Sequence, residues 1–131
     1  MSASARPGMI GRRSVLLGVL MVLGAPEGSA HAVLTRSEPG RNHVLARPPA
    51  QIRLWFNEKI EREYSSISVL DAAGQSVSTA AATVSTADPK LLVLDLPALG
   101  PGRYTVHYRV NSVDGHVVDA HYTFTIEAAG K

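Results

Sequence analysis

The chain contains no cysteine. An oxidising compartment can therefore add no disulfide, and thiolate metal sites are excluded. Methionine is almost as scarce: the only three, Met1, Met9 and Met21, lie near the start. Beyond them neither soft sulfur ligand is present. That disfavours a dedicated Cu(I) site or a structural zinc–thiolate site, and leaves imidazole, carboxylate and amine as metal donors. Apolar runs are short as well. "SVLLGVLMVLG", residues 14–24, has eleven residues, against roughly 20 for a membrane span. No segment keeps a 3.6-residue apolar period for three turns. No phosphate-binding loop appears, and no nucleophile, base and orienting group can be assembled.

What is present begins with an export signal. Arg12 and Arg13 precede the apolar run, and "APEGSA" follows it with small residues at Gly28, Ser29 and Ala30, the anatomy of a secretory signal peptide over residues 1–30. The arginine pair also has a loose likeness to a twin-arginine signal. Cleavage after Ala30 would release a chain starting at His31, and cleavage after Ala32 one starting at Val33; the local pattern leaves both open. The whole chain carries 13 basic and 11 acidic side chains. Arg6, Arg12, Arg13 and Glu27 belong to the signal, which leaves ten of each sign. The basic character thus belongs to the signal, and neither nucleic acid nor an anionic surface is an expected partner. Residues 31–131 suit one soluble domain with a modest core.

Strand signals dominate that domain. "QIRLWFNEKI" alternates Ile52, Leu54 and Phe56 against Arg53, Trp55 and Asn57. "YSSISVLDAAG" carries Ile67 and Val69 into a turn, the Ala-rich "QSVSTAAATV" is weaker, and "LLVLDL" follows the Asp88-Pro89 turn. "GRYTVHYRV" sets Tyr104, Val106, Tyr108 and Val110 on one face, and "HYTFTI" does the same with Tyr122, Phe124 and Ile126. The opening "HAVLTRSEPGRNHVLARPPA" is looser. Six or seven short strands broken by proline and glycine predict an all-β sandwich or small barrel. Trp55 and the tyrosines read as packing groups.

All five histidines, His31, His43, His107, His116 and His121, follow the signal. Asp114 and His116 flank Gly115, and on a strand such i, i+2 residues point to one side. By itself this is also an ordinary Asp-Gly turn. An N-terminal His31 changes the reading, because its α-amine and Nδ1 can chelate one ion. With His116 and Asp114 the set becomes three nitrogens and an oxygen, a combination suited to Cu(II). His107 and His121 read as surface residues with some scope for a second metal site, and His43 has no evident partner.

Taken in order, "HAVL", "SEPG", "IRLWFNEKI" and "YTVHYRVNSVDGHVVDAHYTFTI" resemble the CopC-type periplasmic copper-resistance proteins over essentially all of residues 31–131. The resemblance implies a Greek-key, cupredoxin-like (immunoglobulin-like) β-sandwich or barrel of about seven strands. It implies one Cu(II) held by His31, His116 and Asp114, with Glu58 as an accessory ligand or a partner of one, and cleavage before His31. It further implies a periplasmic, monomeric carrier or buffer, not an enzyme, passing copper to a membrane transporter of the CopD type. Two departures stand out. The methionine-rich Cu(I) loop of some members is absent, and Ala120-His121 replaces the usual glycine and small residue. The rival readings are a small copper monooxygenase built on the same histidine brace and a metal-free immunoglobulin-like adhesion module. Reductant-dependent oxygen consumption on a sugar polymer would favour the first, and copper lost on dialysis the second.

Overall fold

Eight strands, none of them broken by an α-helix, make up the described part of this protein, residues 32–129 of a computed structural model. Residues 1–30, read above as a signal peptide, and His31 lie outside the described residues. The strands are β1 (Leu34–Glu38), β2 (Val44–Leu45), β3 (Gln51–Phe56), β4 (Ser66–Leu70), β5 (Thr83–Val84), β6 (Leu91–Asp95), β7 (Gly102–Asn111) and β8 (Val117–Ile126). They form two four-stranded sheets, ordered β1-β3-β6-β5 and β2-β8-β7-β4. All pairings are antiparallel except β2 with β8.

Period-two alternation explains how the sheets pack. Along β3 the outward Gln51, Arg53 and Trp55 alternate with buried Ile52, Leu54 and Phe56. Along β7, Tyr104, Val106, Tyr108 and Val110 are buried in the same rhythm. Tyr122, Phe124 and Ile126 of β8 and Ile67 and Val69 of β4 complete the same core, facing Leu92 and Leu94 from the other sheet. One face of each sheet buried against the other is the arrangement that turns alternating strands into a sandwich. Two phenols are tied to backbone at the ends of this core: Tyr104 Oη donates to the Gly100 carbonyl and Tyr122 Oη to that of Pro39, each at 2.8 Å.

Three details differ from the sequence-based expectation. The described residues form eight strands rather than about seven, because the loose opening segment contributes both β1 and the two-residue β2. The Ala-rich stretch yields only Thr83–Val84, since its small side chains offer little apolar surface to hold an edge strand. Trp55 lies on the outer face, as its place in the alternation with Arg53 and Asn57 predicts, with the Arg36 and Arg53 guanidinium groups 4.4 and 5.1 Å from its ring centroid. Tyr64 is exposed, in a single 3-10 turn over Arg62–Tyr64.

Candidate metal centre

β7 and β8 pair along their entire ten-residue lengths, ending at Asn111↔Val117. Asp114, Gly115 and His116 therefore sit in the connection between them and not on a strand, so the strand argument for their facing one way does not apply. The turn is closed by Ser112, which is 2% exposed. Its amide donates to the His116 carbonyl at 2.8 Å, its Oγ accepts from the His116 amide at 3.1 Å, and its carbonyl accepts from Gly115 N–H at 2.9 Å. Gly115 has φ +90°, a conformation that a side chain disfavours and glycine tolerates.

The segment leaving β3 runs beside this turn. Val113 N–H donates to the Lys59 carbonyl at 2.9 Å, Glu61 N–H to that of Asn111 at 2.8 Å, and Ile60 bridges to Ser112. This lacing delivers Glu58: its Oε1 stands 3.3 Å from His116 Nδ1, with the two side chains 21% and 33% exposed. A carboxylate only accepts, so Nδ1–H donates, and Nε2 of His116 keeps its lone pair for a metal. Asp114 is exposed on the same turn.

A third segment meets the site at Asn57. Its Oδ1 accepts from Val33 N–H at 2.7 Å, and its own amide donates to the Val33 carbonyl at 3.0 Å. Ala32, the first described residue, is buried at 2% exposure. Asn57 was not singled out from the sequence, although a polar residue between Phe56 and Glu58 was the available signal. Glu58 and His116 make a pair and not a complete set. Among the described residues no three His, Cys, Asp or Glu side chains are grouped to hold a metal. His31 would have to complete any such group, and it lies outside those residues.

The other histidines are elsewhere. His43 turns back on its own loop, where Gly40 N–H donates to its Nδ1 at 3.2 Å. His107 and His121 lie directly opposite each other on the outer face of the second sheet.

The family model for the CopC domain matches residues 34–127. This chain belongs to the CopC family. It is 36% identical over 103 residues to Protein YobA of Escherichia coli K12, spanning 78% of this chain and 83% of that one. Its fold is similar to the crystal structure of CopC from Methylosinus trichosporium OB3b, with a TM-score of 0.72 and 37% identity, covering 77% of this chain and all but 2% of that one, that is 98%. PcoC, a methionine-rich copper resistance protein from Escherichia coli, is similar with a TM-score of 0.64 and 30% identity, covering 75% of this chain and 100% of that one. The Greek-key sandwich expected from the sequence is the fold of this family.

Proposed function

We propose that the protein is an exported copper carrier or buffer that binds one Cu(II) at the β7–β8 turn. The donors are the terminal amine and Nδ1 of His31, Nε2 of His116 and the carboxylate of Asp114, with Glu58 steadying His116. The observation that carries this reading is the fastening of Val33 to Asn57, next to Glu58 and thus to His116. Two Cα steps separate His31 from Val33, and at 3.80 Å per step the His31 Cα stays within about 7.6 Å of Val33's. These hydrogen bonds support the reading because they hold Val33, two residues after His31, beside the segment that carries Glu58.

Several further observations support the reading. The donor set is nitrogen and oxygen without sulfur, which favours Cu(II) over Cu(I). The turn is exposed, which suits cargo that must be loaded and handed on. The copper resistance named for PcoC, a relative of this chain, agrees with such cargo. The arginine pair and apolar run at the start support export to the periplasm, with cleavage before His31. A membrane transporter of the CopD type is the expected recipient, and the carrier acts as a monomer without catalysis.

Titration of the purified protein against a competing chelator, in each copper oxidation state, tests the proposal. One Cu(II) per chain, held more tightly than Cu(I), is the expected result. Tighter retention of Cu(I) would overturn it.

A further inference from the structure

His107 of β7 and His121 of β8 are Cα partners across the hairpin, so their side chains leave the same face of the sheet. Cβ atoms of directly opposed residues lie about 4.5–5.5 Å apart, which lets two imidazoles reach one ion at metal–nitrogen distances of about 2.0–2.1 Å. This face points away from the core: Tyr108, Val106 and Tyr122, the chain neighbours of the two histidines, are the residues buried between the sheets. His107 is four residues from the end of β7 at Asn111, roughly 14 Å at about 3.4 Å per residue. The pair is therefore separate from the donors at the turn.

A carboxylate already holds one member of this pair. His107 Nε2–H donates to Asp119 Oδ1 at 2.7 Å, and Arg109, the direct cross-strand partner of Asp119, donates from Nη1 to Oδ2 at 3.3 Å. The carboxylate accepts from Nε2–H of His107, which leaves Nδ1 of the neutral ring as the donor. A carboxylate on the far nitrogen is the common second partner of a metal-bound histidine. The remaining outward neighbours, Ser68 opposite His107 on β4 and the threonines Thr105 and Thr123, are neutral and small, and put no cation directly beside the two rings.

We propose that His107 and His121 form a second, exposed divalent-metal site, oriented by Asp119, for imidazole-preferring ions such as Cu(II) and Zn(II). Two nitrogen donors with the remaining positions open to water bind weakly and exchange fast. The site would capture metal on the sheet face independently of His31 and His116, so its failure and that of the Cu(II) site at the turn are separable.

Zn(II) titration of the purified protein, followed through histidine side-chain resonances by NMR, tests the proposal. His107 and His121 should respond together and saturate at one Zn(II) per pair, with the His107 shift largest at Nδ1. H121Q should weaken the response at His107 at least tenfold, and H107Q the response at His121, while His116 responds as before. An His107 response unchanged by H121Q would mean two independent surface histidines and overturn the proposal. So would the absence of any response at either ring up to millimolar Zn(II).

Discussion

Glu58 Oε1 and His116 Nδ1 stand 3.3 Å apart although 58 residues separate them in the chain. The contact exists because the segment after β3 is laced to the β7–β8 turn by backbone hydrogen bonds from Val113 and Glu61. Glu58 then orients the ring and fixes which nitrogen carries the proton. Replacing such a carboxylate typically costs 10–100-fold in metal affinity. Glu58→Gln, which accepts a hydrogen bond without the charge, is expected to weaken Cu(II) binding at the low end of that range, and Glu58→Ala at the high end. A chelator-competition titration of the two variants measures the difference.

His116→Ala and Asp114→Ala are expected to weaken Cu(II) binding while leaving the metal-free fold intact. Both residues lie in the turn, outside the buried cluster between the sheets, and changes at such positions usually shift stability by less than about 0.5 kcal/mol. Thermal unfolding of the metal-free variants checks this. A large loss of stability would assign the pair a structural role.

Gly115→Ala separates backbone geometry from space. Nothing lies within 4 Å of where the Cβ would be, yet φ is +90°. The cost is therefore strain alone, on the order of 1–2 kcal/mol. If the turn relieves that strain by rotating, Asp114 and His116 move relative to each other. The expected outcome is a modest fall in unfolding free energy together with weaker Cu(II) binding, read by denaturant titration and copper competition.

A single residue added before His31 keeps every histidine and carboxylate but converts the His31 amine into an amide, which binds metal only when deprotonated. The variant beginning Gly-His31 is expected to fold normally and to bind Cu(II) far more weakly, with a changed paramagnetic resonance spectrum. Native affinity and spectrum in that variant would falsify the brace.

Burial pushes the Tyr122 phenol up to about 12, from an ordinary value of 10.0. The folded state thus holds this proton more tightly than the unfolded chain does. Its contribution is fully present below about pH 10 and is lost as pH rises towards 12. Two units correspond to about 2–3 kcal/mol. Unfolding free energy should fall steeply over that window, and Tyr122→Phe should flatten the fall. At neutral pH the same change leaves the Pro39 carbonyl without its 2.8 Å donor, at a cost of about 1–3 kcal/mol. Denaturant unfolding across pH 8–12 reads both effects.

Alternation decided most of the fold in advance. Ile52, Leu54 and Phe56, or Tyr104 through Val110, can bury one set of side chains only by forming strands with one dry face, whatever lies opposite. The shortest strands escaped because Val44–Leu45 and Thr83–Val84 are too brief to show a period and exist only through the neighbour that pairs with them. Trp55 obeyed the same rule: its place in the alternation put it on the polar face, where arginines rather than core residues cover it.

The sequence also determined the chemistry on offer, since donor types follow from composition: five histidines, no cysteine, and methionines confined to the start. It placed Asp114 and His116 two residues apart but left open whether they lie on a strand or in a turn, because the register that ends β7 at Asn111 and begins β8 at Val117 is a property of the pairing and not of either segment. Only the tertiary structure decided that Glu58 meets His116, that Asn57 clasps Val33, and that His107 faces His121 across a hairpin. Each of these contacts joins residues at least a dozen positions apart, and such proximity is set by strand register and inter-segment hydrogen bonds that local side-chain patterns do not encode.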